Sequence, residues 1–121
     1  MTEFSGEERL EDLRRLVAAF AAERDWERFH SPRNLLLAVV SEIGECADIV
    51  RWQDDGGASI PPGQEQAWAD ELADVFILLL RLADRSGVDL TAALHRKLAI
   101  AAAKYPADRF RGSNRKYDQP S

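Results

Sequence analysis

A chain of 121 residues with 45% apolar and 31% charged residues has the composition of one soluble globular domain. Its formal net charge of −5 argues against a general nucleic-acid-binding surface, because phosphate backbones call for basic patches. No stretch approaches the roughly 20 apolar residues that cross a bilayer, and the acidic, mixed N-terminal segment differs from a signal or transit peptide. A single cysteine, Cys46, excludes an internal disulfide framework, so a reducing cytoplasm is the expected location.

Four helices are predicted, and the first two are marked by apolar spacing and by a capping signal. The first covers about residues 6–23, where apolar side chains recur at three- and four-residue steps. The second opens at Ser31-Pro32, a hydroxyl N-cap followed by proline at the first helical position, and continues to about Gln53. Glycines and prolines in the segment DDGGASIPPG then predict a loop.

The second half of the chain predicts two more helices. The third covers about residues 64–85 and stops near Gly87, which suits a left-handed C-cap. The fourth starts at Asp89 and ends before Pro106. Because no segment alternates with period two, the predicted fold is all-α, and four helices with short connections favour an antiparallel four-helix bundle.

We expect a single domain over residues 1–121, with a basic tail from about residue 107 whose flexibility the sequence leaves open. The charge of this tail is either solvated or closes over a small anionic ligand. The second and third helices are apolar around much of their circumference. That pattern favours oligomerisation, although a thick core would produce it as well.

Two pairs of acids are the candidate chemical groups. Glu42 and Glu45 are three residues apart on the second helix, and Glu71 and Asp74 repeat that spacing on the third, so each pair shares a face. Three of them, Glu42, Glu45 and Glu71, align with apolar residues one heptad away. Carboxylates rarely tolerate burial unless they are paired, protonated or bound to a cation. Such an oxygen-only site suits Mg²⁺ or Mn²⁺, while a solvated acidic face stays open as the alternative.

The surrounding sequence resembles a known family. The segment AERDWERFHSPRNLLLAVVSEIGECADIVRWQ, followed by DELADVFILLLRLADRSGVDL and KYP, resembles the all-α nucleotide pyrophosphohydrolases of the MazG type, and among them the dCTP pyrophosphatase branch. The resemblance covers about residues 10–117. The metal motif of this family, E-x-x-E on one helix and E-x-x-D on the next, matches at Glu42, Glu45, Glu71 and Asp74.

The resemblance implies magnesium-dependent hydrolysis between the α and β phosphates of a nucleoside triphosphate, dCTP or a modified dCTP, with the four acids as catalytic metal ligands. It places the base pocket at Trp26, His30 and Trp52, since aromatic faces stack on a base and an imidazole can hydrogen-bond its edge. Weaker candidates for substrate contact are Leu78 beside the base and Lys97, Lys104, Arg111 and Arg115 on the triphosphate.

Two positions depart from the family pattern. Leu78 stands where the cytosine branch often has a tyrosine, and Ala101 stands where an asparagine often precedes the KYP segment. Neither change touches the four acids, so the implied reaction class stands while the base preference stays open. The alternatives are a broader or different base preference, or a non-catalytic helical module that binds nucleotides. The resemblance also implies a homo-oligomer, a dimer or tetramer, that acts on a free nucleotide rather than on a nucleic-acid polymer or a membrane.

Overall fold

The computed structural model describes residues 6, 8–54, 56 and 59–119, and every regular element in these ranges is helical. The elements are α1 (Leu10–Glu23), a short 3₁₀ helix (Glu27–Phe29), α2 (Pro32–Val50), α3 (Glu65–Arg85), α4 (Leu90–Lys104) and α5 (Ala107–Phe110). The predicted all-α class is therefore confirmed. Part of the predicted loop after α2, at residues 55, 57 and 58, lies outside the described residues.

The boundaries of α1 and α2 are set by local chemistry. The prediction that the first helix begins near residue 6 was wrong, because Gly6 has a φ of 80°, which no right-handed helix contains. Ser31 caps α2 as predicted, its hydroxyl accepting from the Asn34 backbone N–H at 3.1 Å. The second helix stops at Val50 rather than near Gln53, since the chain turns after it.

The ends of α3 and α4 follow the predicted signals. Gly87 has a φ of 70°, and its N–H donates to the Asp84 carbonyl while the Val88 N–H donates to the Ala83 carbonyl. This pair of bonds is a Schellman C-cap, for which glycine is the favoured residue. Asp89 then caps α4, its carboxylate accepting from the Ala92 N–H at 3.1 Å. Two short helices, Glu27–Phe29 and α5, were not predicted because so few residues show no apolar period.

The described chain forms two compact units, Met1–Val88 and Asp89–Ser121. In the first unit α3 packs against both α1 and α2. Its buried apolar side chains are Ala21, Leu35, Val39, Cys46, Leu80 and Ala83. A charged link also joins α1 to α3, since Asp84 accepts from Arg14 at 2.8 Å and from the buried Arg81 at 3.0 Å.

The second unit holds α4, α5 and the basic tail. Tyr105 packs edge-on against Phe110 at 4.9 Å and against Tyr117 at 5.9 Å between ring centroids. The Arg115 guanidinium lies 4.5 Å from the centroid of the Phe110 ring, and Lys104 lies 4.9 Å from that of Tyr117. The tail therefore has packing partners within its own unit. In the described part of the chain, no helix combines the length and apolarity that crossing a membrane demands.

Candidate metal and nucleotide site

Three of the four predicted acids meet in the first unit. Glu42 and Glu45 project from α2 and Glu71 from α3, and one carboxylate oxygen of each lies within 4.8 Å of the others. Glu42 belongs to the buried row of α2 that also contains Leu35, Val39 and Cys46. The packing of this row against α3 is what brings acids 29 residues apart, Glu42 and Glu71, to one place. We refer to Glu42, Glu45 and Glu71 as the carboxyl cluster.

Two acids of the carboxyl cluster, Glu42 and Glu71, hold protons more tightly than ordinary carboxylic acids do. Burial raises the pKa of Glu71 to about 7, helped by hydrogen bonding to Glu45 and by the negative charges of Glu45 and Glu42. The pKa of Glu42 is also raised, first by burial and then by the charge of Glu45. A positive charge placed between these acids would favour their ionised forms.

The donor set of the carboxyl cluster fits a hard divalent cation. Among the described residues, Glu42 Oε2 and Glu71 Oε2 are buried and have no hydrogen-bond partner. Buried oxygens without a donor are costly, and a cation placed between them would satisfy both. Oxygen-only ligands are those that Mg²⁺ and Mn²⁺ prefer. The geometry therefore fits the predicted ion class.

Asp74, the fourth predicted acid, stands apart from the carboxyl cluster. It is exposed and lies on α3 one turn after Glu71. Its negative charge nevertheless raises the pKa of Glu42, so it acts on the same site electrostatically.

His30 contacts two arginines of α3 in the first unit. The Arg81 Nε–H donates to His30 Nδ1 at 3.3 Å, and Arg85 Nε–H donates to the His30 backbone carbonyl at 3.1 Å. Burial, followed by the positive charges of Arg81 and Arg85, lowers the pKa of His30. Arg81 was not among the predicted site residues. An arginine inside the apolar run FILLLRLA was the available signal, because a buried charge needs partners.

The two predicted base-stacking tryptophans lie on different segments and are open to solvent. Trp26 is 44% exposed and packs edge-on against Phe20 at 5.7 Å between ring centroids. Trp52, in the turn after α2, is 78% exposed with the Arg51 guanidinium 4.6 Å from its ring centroid. Leu78 is half-buried on α3, one heptad after Glu71. Both rings thus keep exposed surface that suits stacking, although the Arg51 guanidinium lies over one face of Trp52.

The predicted phosphate-contacting residues all belong to the second unit. Lys97 is an exposed residue of α4, and Arg111 is the exposed residue that follows α5. Lys104 and Arg115 instead face aromatic rings of their own unit, and Arg115 also donates to the Arg109 carbonyl at 3.3 Å. Of the four, Lys97 and Arg111 keep their charge free of such ring contacts among the described residues.

The paired acids on two packed helices, α2 and α3, are the motif by which the sequence resembles the MazG-type pyrophosphohydrolases. Residues 43–119 match the sequence model of the MazG-like family. The chain is a member of the MazG-like family, which confirms the resemblance found in the sequence.

Three known proteins show which members of the family the chain is similar to. The chain is 50% identical over 119 residues to dCTP pyrophosphatase 1 of Homo sapiens, an alignment that covers 96% of this chain and 70% of the human one. It is 50% identical over 117 residues to dCTP pyrophosphatase 1 of Mus musculus, covering 94% of this chain and 69% of that one. The crystal structure of a pyrophosphatase from Archaeoglobus fulgidus matches with a TM-score of 0.74 at 27% identity, over 88% of this chain and 98% of that chain.

Proposed function

We propose that this chain hydrolyses dCTP to dCMP and pyrophosphate with a divalent cation, Mg²⁺ or Mn²⁺, held at the carboxyl cluster. The observation that carries the proposal is the meeting of Glu42, Glu45 and Glu71 with two buried oxygens that lack donors. Relatives that are 50% identical are dCTP pyrophosphatases. The predicted enzyme class, a nucleoside triphosphate pyrophosphohydrolase, is confirmed by this similarity.

The residues of the chain divide the work of the reaction. A bound cation supplies charge neutralisation of the triphosphate and lowers the pKa of the attacking water. Glu42 and Glu45 would hold it from α2 and Glu71 from α3, while Asp74 adds negative charge one turn away. One carboxylate of the cluster, Glu42 or Glu45, would take up the proton that the attacking water releases.

Base recognition is proposed for Trp26, His30 and Trp52. The open faces of the tryptophans suit stacking, and His30 offers a ring nitrogen for the base edge. Leu78 supplies an apolar wall on the same side of α3 as Glu71. Lys97, Lys104, Arg111 and Arg115 stay proposed contacts of the triphosphate on the family resemblance. Lys97 and Arg111 rank ahead of the other two, which already face aromatic rings.

A nucleotide panel tests the substrate. With Mg²⁺ present we expect dCTP and 5-methyl-dCTP to be cleaved faster than the other common nucleoside triphosphates, because the relatives at 50% identity act on dCTP. Products are separated by chromatography, and EDTA is expected to abolish turnover. Faster cleavage of another base would contradict the cytosine preference and point to Leu78 as its cause. Binding without turnover of any nucleotide would favour a non-catalytic nucleotide-binding module instead.

We also propose that the chain assembles as a homo-oligomer, a dimer or tetramer. Leu36, Val40 and Ile43 follow one another at i, i+4 and i+7 on α2, and each is more than half exposed. A second copy of the same face is the simplest cover for this row. Light scattering at micromolar concentration should give at least twice the mass of 13.6 kDa, whereas a monomer would refute the assembly.

A cytoplasmic location stays a prediction.

A further inference from the structure

The Arg81 side chain is held from two sides inside the first unit. It is 2% exposed, and its Nη1 donates to Asp84 Oδ2 at 3.0 Å. Asp84 is itself fixed by Arg14, whose Nη1 lies 2.8 Å from the other carboxylate oxygen. The remaining bond, from Arg81 Nε to His30 Nδ1 at 3.3 Å, joins α3 to the segment that precedes α2. A guanidinium with this support has little freedom to turn away from the imidazole.

The bond from Arg81 decides which nitrogen of His30 carries the proton. A guanidinium has only donors and stays charged at any pH a protein tolerates, so Nδ1 must present its lone pair. A neutral imidazole has one N–H, which then lies on Nε2. The groups around the ring favour this neutral form, since burial, Arg81 and Arg85 lower the pKa of His30 and only Glu27 raises it. Among the described residues, no hydrogen bond engages Nε2.

Arg81 and Arg85 contact different parts of His30. Arg85 Nε–H donates to the backbone carbonyl of His30 at 3.1 Å, and so it fixes the position of the chain. Arg81 contacts the ring instead. A bond needed only to pack this segment would not have to reach the imidazole, because Arg85 already ties the segment to α3.

We propose that Arg81 is a positioning residue that fixes His30 as an Nε2–H donor, so that the nucleotide site selects a pyrimidine whose N3 accepts a hydrogen bond. The selection rests on the proposed function, in which His30 meets the base. Cytosine has a lone pair at N3, whereas uracil and thymine carry a hydrogen there and keep acceptors only at O2 and O4. An Nε2–H donor that meets N3 is therefore matched to cytosine, and a site that leaves a polar group unmatched rejects the wrong base.

The protonation state of His30 is measured on the intact, nucleotide-free chain. The protein has two histidines, so long-range ¹H–¹⁵N spectra contain two imidazoles, and a His30→Gln variant assigns them. We expect the Nε2–H form alone for His30 near neutral pH, and a pKa of His30 below the ordinary range of a histidine. An Nδ1–H form or an imidazolium near neutral pH in the native protein would overturn the proposal.

Variants at Arg81 and Arg85 test whether the bond from Arg81 sets the tautomer of His30. Arg81→Met should give a mixture of tautomers and shift the protonation of His30 to higher pH, because the donor and one positive charge are gone. Arg81→Lys keeps a charged donor and should restore the Nε2–H form. Arg85→Met is the matched control and should leave the tautomer unchanged. If circular dichroism shows that Arg81→Met is unfolded, the native spectrum and Arg81→Lys still decide the proposal.

Selectivity is measured as the ratio of kcat/KM for dCTP to that for dUTP. We expect Arg81→Met to lower this ratio about tenfold, the size of one mismatched hydrogen bond to a base, chiefly through KM for dCTP. Arg81→Lys should recover it, and Arg85→Met should not change it. An unchanged ratio in Arg81→Met with an altered tautomer would overturn the selective role. No turnover of any nucleotide by the native protein would refute the proposed function and the selectivity, while the spectra would still decide whether Arg81 fixes His30.

Discussion

Replacing Glu71 by glutamine is expected to lower dCTP hydrolysis by at least about a hundredfold while raising the melting temperature of the metal-free protein. Activity falls because a neutral amide is a poor ligand for a hard cation and cannot take up a proton. A loss of this size is typical when one electrostatic group is removed from a reacting centre. Stability rises because the substitution removes a carboxyl whose ionisation is opposed by burial and by two neighbouring acids.

The opposite signs of these two effects identify the carboxyl cluster as a functional site. Substituting an acid with a purely structural role would lower stability and activity together. In a ligand site the acids repel one another when the ligand is absent, so substitution raises stability while it lowers activity. Glu42→Gln should behave in the same way, since the pKa of Glu42 is also raised by burial and by Glu45. Turnover that persists in both variants would show that the metal site has been misassigned.

Asp70→Asn is the matched control for charge. Asp70 precedes Glu71 on α3, is exposed, and accepts from the Gln66 side chain at 2.8 Å. The Asp70→Asn substitution removes one negative charge from α3, as Glu71→Gln does, but leaves the carboxyl cluster intact. The activity of Asp70→Asn should therefore stay close to the native value, because the Asp70 carboxylate is exposed and contacts Gln66 rather than the cluster. A hundredfold loss in Asp70→Asn would mean that the net charge of α3, rather than the cluster, controls turnover.

The stability of the metal-free protein should fall as pH rises from about 4.5 to about 7. In the folded chain the pKa of Glu71 is about 7, and in the unfolded chain it returns to about 4.5. Between these values the folded state keeps a proton that the unfolded state has released, so raising the pH favours unfolding. Below this window both states are protonated, and above it both are ionised, so the contribution of Glu71 no longer changes.

A divalent cation should reverse this trend. Binding requires ionised carboxylates, so the cation competes with the proton and its stabilising effect grows through the same window. Denaturant midpoints measured with EDTA and with Mg²⁺ should therefore diverge as the pH rises toward 7. Subtracting the Glu71→Gln curve isolates the contribution of this one group. Equal midpoints at all pH values, with and without Mg²⁺, would contradict the assignment of the cluster as a cation site.

Local signals in the sequence predicted most of the helical boundaries. Ser31-Pro32, Gly87 and Asp89 act through bonds to atoms within five residues, so their chemistry can be interpreted without knowledge of the fold. The carboxyl cluster was predictable for a similar reason. Acids at three-residue spacing share a helix face, and two such faces on packed helices need only one correct contact between α2 and α3 to meet.

Contacts between distant segments could not be predicted in this way. The Arg81–His30 bond joins residues 51 apart, and the pairing of Arg14 with Asp84 joins residues 70 apart. Each depends on which helix faces pack together, which periodicity alone does not fix. Asp74 shows that spacing alone does not fix the site. Its spacing from Glu71 matches that of Glu45 from Glu42, yet only Glu45 joins the group of oxygens within 4.8 Å.

The cleavage of dCTP followed by ³¹P NMR tests the proposed reaction most directly. The purified protein is incubated with dCTP and Mg²⁺, and the Glu71→Gln variant is run beside it. We predict that dCMP and pyrophosphate appear in equal amounts with the native protein, that EDTA stops the reaction, and that the variant gives almost none. Release of dCDP and inorganic phosphate would contradict attack at the α phosphorus. Equal turnover by the native protein and the variant would contradict the role of the carboxyl cluster.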